Sequence, residues 1–194
     1  FVLGVDEAGR GPIAGPVAVG VVRAREGFDI LAGFPGLDDS KKLSEKKREA
    51  LFMLLEEHET IGAISYAVVL RDAVDIDGRG IAVVIREAVA EGLAQLLPEP
   101  GKGRVWLDGA LRAPDGYEQE TVIGGEGLVP AIMLAPIAAK VTRDRHMTRL
   151  AERYPAYGFE KHKGYGTRAH YDALRAHGLC ALHRRSFIHI PELD

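Results

Sequence analysis

The stretch that most constrains this chain is its first dozen residues: an apolar run, Val2-Leu3-Gly4-Val5, then Asp6-Glu7, then Ala8-Gly9-Arg10-Gly11-Pro12. A short β-prone run closed by glycine and proline reads as a strand, over residues 2–5. The two carboxylates therefore sit at a strand end. Neighbours in a regular strand point to opposite faces, so Asp6 and Glu7 can share a site only if the strand ends or twists there, which the glycines allow. Glycines also let backbone come close to a ligand.

Residues 14–22 form a second extended segment, and the two strands are expected to make a hairpin. Ser44 is a good N-cap for a helix over residues 45–58, with Leu51, Leu54, Leu55 and His58 at helical spacing. Residues 61–70 are β-branched and alternating, hence a strand. Asp77 is expected to cap a helix over residues 79–97. Residues 104–108 and 117–123 read as strands, and Gly124, Gly125 and Gly127 mark a loop. Pro136 fits best in a helix's first turn, which predicts a helix over 135–153. A loop through 155–166 then leads to a helix over 167–177 capped by Thr167. Strands alternating with helices, without repeats, give an α/β chain with a mixed central sheet flanked by helices.

With 194 residues, 46% hydrophobic and 27% charged, the chain is long enough for one well-buried domain. A lone Cys180 excludes an internal disulfide and suits a reducing, cytoplasmic setting. No apolar run is long enough to span a bilayer, and the opening residues lead into a strand rather than a signal peptide. The net charge of −3 hides an asymmetry: from Lys140 to Arg185 the balance is about +7, leaving about −10 on the rest. Alone, that basic stretch is a solvated helical face; beside an acidic site it suits phosphate.

Asp108 closes the strand Arg104-Val-Trp-Leu and is followed by Gly109, while Asp144 stands among Lys140, Arg143, Arg145 and Arg149. Acids at strand ends commonly point into the crevice where α/β sheets bind ligands. Four carboxylates, Asp6, Glu7, Asp108 and Asp144, could hold hard cations such as Mg2+ or Mn2+, and two metals about 4 Å apart suit phosphodiester hydrolysis. Ser40, Lys41 and Lys42, before the first helix, are candidates for phosphate contacts, as are Lys140, Arg143, Lys163, Arg184 and Arg185. No His/Cys set has zinc spacing, and no Walker lysine follows the glycines.

Six blocks in order, Gly4 to Pro12 with Gly15-Pro-Val17, Asp39-Ser-Lys-Lys-Leu43, Leu107-Asp-Gly109, Ala139-Lys-Val-Thr-Arg-Asp144, His162-Lys-Gly-Tyr165 with Thr167, and His183-Arg-Arg-Ser-Phe187, resemble the signature of bacterial ribonuclease HII, of the type 2 ribonuclease H family. The resemblance implies a ribonuclease H-like catalytic core over residues 1–154 with a C-terminal helical extension over 155–194. It implies a two-metal site on Asp6, Glu7, Asp108 and Asp144, using Mn2+ or Mg2+. Gly9, Arg10 and Gly11 would read the ribose 2'-hydroxyl through backbone groups, and Tyr165 would stack on the deoxyribose beyond the RNA-to-DNA junction. His162, His170 and His183 also resemble family positions. One block departs from the pattern: Gly124-Gly-Glu-Gly127 and Ile132-Met-Leu-Ala-Pro-Ile137 stand where a Gly-Asp and a small Ser-containing run are usual.

The implied activity is endonucleolytic cleavage 5' to a ribonucleotide, in RNA/DNA hybrids and at single ribonucleotides embedded in DNA, as in ribonucleotide excision repair. The products would be a 3'-hydroxyl and a 5'-phosphate, and the enzyme a monomer whose partner is nucleic acid, not membrane. Two alternatives remain: another nuclease or strand-transferase of this fold, such as a junction resolvase, and a non-catalytic nucleic-acid-binding module.

Overall fold

A computed structural model describes residues 1–122 and 129–189. Five strands, β1 (Val2–Ala8), β2 (Val17–Ala24), β3 (Ile64–Arg71), β4 (Arg104–Asp108) and β5 (Glu118–Val122), form one sheet in the order β3-β2-β1-β4-β5. β1 and β2 are the expected antiparallel hairpin, whereas β4 and β5 run parallel to β1 and to each other. The sheet is therefore mixed, and β1 lies at its centre.

Helices cover both faces. On one, α3 (Ala73–Arg79) and α4 (Ile81–Leu96) lie over Leu3, Val5, Val19, Val21 and Val105, with Val84, Ala88 and Leu93 of α4 fully buried. On the other, α1 (Ile30–Gly33), α2 (Glu45–Thr60) and α5 (Pro130–Arg153) cover Val22 and Ile64. α5 lies almost on the backbone of the hairpin. A Cβ at Gly4 would fall 2.0 Å from the Ala131 carbonyl oxygen, and one at Gly20 2.3 Å from that of Ala135. Only glycine fits at either position, and Gly20 is the residue paired with Asp6.

α5 corrects one expectation. Pro130, not Pro136, occupies its first turn, and Pro136 lies inside the helix. Residues 131–139 are buried almost all round. That burial outweighs the one helical hydrogen bond that a proline removes. A second correction concerns Asp77. The predicted 79–97 helix is present as α4, but Asp77 does not cap it and lies inside the unforeseen α3. Asp72 caps α3, accepting from the Asp75 N–H at 2.9 Å, and Gly80, at φ 83°, separates the two helices. Ser44 and Thr167 do cap α2 and α7 (Arg168–His177), accepting from the N–H groups of Lys47 and His170. The expected loop after α5 contains the single turn α6 (Phe159–His162). Gly124, Gly125, Gly127 and the end of the predicted 117–123 strand lie outside the described residues.

The chain after α5 makes a third apolar cluster, in which Tyr157, Phe159, Leu174 and Ile188 pack on Met147 and Ala151 of α5 and on Ile13 and Ala14 of the loop after β1. That loop is stitched in by backbone: Ile13 N–H donates to the Gly164 carbonyl at 3.0 Å, Gly15 N–H to Leu182 at 2.8 Å, and Arg184 N–H to Ile13 at 2.8 Å. Asp77 takes part in the same attachment, accepting from the N–H groups of Arg185 (2.8 Å) and Ser186 (3.0 Å). Burial alone would raise the Asp77 pKa, but the Ser186 and Arg185 hydrogen bonds outweigh it and hold the carboxyl below its usual value.

Candidate active site

β1 does not end at residue 5 as expected but runs on to Ala8, with Asp6 and Glu7 paired to Gly20 and Val19 of β2. Only its parallel pairing with β4 ends, at Val5 opposite Leu107, and Asp6 and Asp108 follow directly on those adjacent strands. This is where open α/β sheets place their ligands. Asp6 is buried, whereas Asp108 and Glu7 are half-buried, and all three line one pocket of about 520 Å³. The Glu7 N–H donates to Asp6 Oδ1 at 2.7 Å, and Arg10 Nη1 meets Glu7 Oε1 at 2.9 Å. Gly9, Arg10, Gly11, Ser40, Lys41, Lys140 and Tyr165 line the same pocket.

Asp144 is not among the lining residues. Lys140, one turn earlier on α5, holds both of its carboxylate oxygens, at 2.7 and 2.6 Å, and itself reaches the pocket. Among the described residues, no three His, Cys, Asp or Glu side chains converge closely enough to hold a metal as they stand. The donor chemistry still fits a hard divalent cation: the acids of the pocket, with Asp144 behind Lys140, offer carboxylate oxygen and neither thiol nor imidazole.

Two of the expected phosphate clamps turn out to be interior. Arg143 and Arg184 have no exposed surface. Arg143 Nε donates to the Pro16 carbonyl at 2.7 Å and its Nη2 to Ala14 at 3.3 Å. Arg184 donates to the carbonyls of Gly15 (Nε, 2.9 Å), Arg10 (Nη1, 3.0 Å) and Gly9 (Nη2, 2.8 Å). Five main-chain oxygens of the loop are thus held from behind by two cations. Burial first, and the like charge of Arg143 second, depress the Arg184 guanidinium to about 9, which leaves it charged at neutral pH. Gly9 is glycine for the same reason: at φ +82° its Cβ would fall 2.0 Å from Arg143 Nε. A Cβ on Gly11 would meet nothing within 4 Å. Gly9 makes room for an arginine of the protein, and Gly11 leaves the open side clear.

The other expected contacts divide. Lys42 pairs with Asp38 at 3.7 Å and lies outside the pocket. Lys163, at φ 50°, donates to Thr148 Oγ1 at 3.0 Å, and Arg185 is exposed beside Asp77; neither lines the pocket. Tyr165 keeps 41% of its surface, with Lys140 Nζ 5.7 Å from its ring centroid. Behind it the histidines form a relay. His170 Nδ1 donates to the Tyr165 carbonyl at 2.9 Å, its Nε2 meets His183 Nε2 at 3.0 Å, and the Cys180 N–H donates to His183 Nδ1 at 2.9 Å. His162 stacks on His170 with centroids 4.3 Å apart. Sequence reasoning passed over Arg48, which lines the pocket and donates to the carbonyls of Ser40 and Leu43, fixing the 39–43 turn. Its place in the first turn of α2, directly after Lys46 and Lys47, was the available signal.

The Ribonuclease HII family profile matches residues 3–190. The chain belongs to the ribonuclease HII family. It is 45% identical to Ribonuclease HII of Shewanella loihica, over 99% of this chain and 89% of that one, and 41% identical to that of Geobacillus kaustophilus, over 99% and 70%. Ribonuclease H2 of Pyrococcus horikoshii superposes with a TM-score of 0.73 at 27% identity, covering 95% of this chain and 92% of the other. The Archaeoglobus fulgidus ribonuclease HII, solved in complex with PCNA, gives 0.77 over 98% and 96% at 24% identity. Membership makes the chain a ribonuclease H endonuclease acting on nucleic acid, and sets aside the junction resolvase and the non-catalytic module. Among the described residues, no helix is long and apolar enough to cross a membrane.

Proposed function

We propose that this ribonuclease HII cuts the phosphodiester 5' to a ribonucleotide, in RNA/DNA hybrids and at single ribonucleotides embedded in duplex DNA, leaving a 3'-hydroxyl and a 5'-phosphate. The observation that carries the reading is the sharing of one pocket by Asp6, Glu7 and Asp108 with Gly9, Arg10, Gly11 and Tyr165. Carboxylates for chemistry and backbone for sugar recognition stand on consecutive residues of one segment.

Asp6, Glu7, Asp108 and Asp144 would hold two divalent cations, Mn2+ or Mg2+, whose charge activates a water and stabilises the departing oxygen. A structure of a Bst ribonuclease HIII, of the same fold at 17% identity, was solved in complex with Mn2+. Lys140 pairs with Asp144 and would have to share that carboxylate for it to hold a cation. The Gly9–Gly11 backbone presses on the ribose at the open side of Gly11, where a 2'-hydroxyl finds main-chain partners and a deoxyribose leaves them unpaired. Tyr165 offers its exposed ring to the neighbouring sugar. Ser40 and Lys41, held by Arg48 and Asp39, take a phosphate. We further propose a monomer in the cytoplasm, in keeping with the single, half-buried Cys180.

The test is a labelled duplex with one embedded ribonucleotide, incubated with Mg2+ and with Mn2+ separately. One nick immediately 5' to the ribonucleotide is expected. Equal cutting of an all-DNA duplex, or a cut on the 3' side, refutes the reading.

A further inference from the structure

The Gly9–Gly11 loop has a second side. Arg10 lines the acidic pocket on one flank and, on the other, a groove of about 210 Å³ between α4 and the segment after β4. Its apolar part is Ile85, Val89 and Leu111, and its cations are Arg10, Arg86 and Arg112. Arg86 and Arg112 are exposed, and neither makes a hydrogen bond or ion pair among the described residues. The carboxylates of α4 do not serve them: Glu87 is held by Arg79 at 2.6 Å and Glu91 by Arg71 at 2.5 Å.

Two guanidinium groups without counter-ions, beside an apolar floor and next to an acidic cleft, have a narrow range of ligands. Phosphate matches the planar guanidinium fork, and the sugar that joins phosphates has a carbon face for the floor. The groove is too small for a double helix and suits one strand. Arg10 is the residue that it shares with the acidic pocket.

We propose that this groove is a second backbone-binding site, which holds the sugar-phosphate of the nucleic-acid strand as it leaves the acidic pocket past Arg10. The inference rests on the nuclease reading, and extends the substrate track away from the basic 140–185 stretch to the opposite flank of the loop.

Affinity measured in EDTA, where no cleavage occurs, separates the two. Fluorescence anisotropy would compare the wild type, Arg86→Gln/Arg112→Gln and Arg86→Glu/Arg112→Glu on a long hybrid duplex and on one trimmed to the cleft. On the long duplex the glutamine pair should weaken binding about tenfold and lower the slope of log K against log salt by about 1 to 2, as expected for two lost phosphate contacts. The glutamate pair should weaken it further, and the trimmed duplex should respond much less. Wild-type affinity and slope in both variants on the long duplex overturn the inference, and so does an equal loss on both duplexes. Failure of the wild type to bind the long duplex overturns the groove, whereas the nuclease reading stands or falls on the separate cleavage assay with Mg2+ and Mn2+.

Discussion

Arg184 Nη2 donates to the Gly9 carbonyl at 2.8 Å, across 175 positions of the chain. The residue that would meet the ribose is thus held in place by a residue far from it in sequence. Arg184 also serves Arg10 and Gly15. Arg184→Met should leave three carbonyls without a donor, and a buried group left unpaired costs about 1–3 kcal/mol. We expect a loss of about 3 kcal/mol or more by urea unfolding, together with a reduced preference for ribonucleotide-containing duplex over DNA. Arg184→Lys should rescue little, because one ammonium cannot span three carbonyls in a fixed fork. Full stability and selectivity in the lysine variant would contradict this.

Asp6 and Asp108 lie on adjacent strands, directly after the β1–β4 pairing ends. Substituting either by Asn keeps the shape and removes the charge. Cleavage should fall by at least about 100-fold, the scale set by removing one stabilising group from a charged transition state. Unfolding midpoints should change little. Near wild-type turnover in Asp6→Asn would remove these carboxylates from the chemistry.

His170 and His183 are both depressed to about 4, by burial first. An unfolded histidine titrates near 6.5, so between about 6.5 and 4 the unfolded chain binds more protons than the folded one. Their contribution is therefore complete above pH 6.5 and is lost as pH falls toward 4. Urea midpoints should drop through that window, and His170→Gln should flatten the drop while lowering stability at pH 7.5. An unchanged slope in the variant would assign the acid sensitivity elsewhere.

Asp77→Ala should release the turn at Arg185–Phe187 from the core, costing about 1–3 kcal/mol. Faster proteolytic nicking after Arg184 or Arg185 would report it. The same rate as wild type would mean that Arg184 and the apolar contacts of Ile188 hold this segment without Asp77.

Much of this was readable beforehand because local rules and the fold agree. Ser44 and Thr167 cap where short polar residues should, and the apolar run before Asp6 becomes the central strand. The exceptions share a cause, which is contact with segments distant in sequence. Pro136 continues a helix because the packing around it is stronger than its local cost. Asp77 abandons its own helix for an N–H pair more than a hundred residues away. Arg143 and Arg184 look like surface cations in the sequence, and nothing in their neighbours tells that five carbonyls await them inside. Asp144 is masked in another way, since a lysine one turn earlier competes for it.

The fastening of the loop by Arg184 also imposes an order in time. A chain is made from its N-terminus, at about 5–20 residues per second, and its early parts begin to fold first. The strand that carries Asp6 and Glu7 is therefore complete many seconds before the arginine that secures the loop beside it. A chain whose synthesis has not yet reached Arg184 has both acids but lacks the fastening that shapes the loop beside them. The loop is therefore shaped only once a guanidinium made 175 residues after Gly9 has joined it.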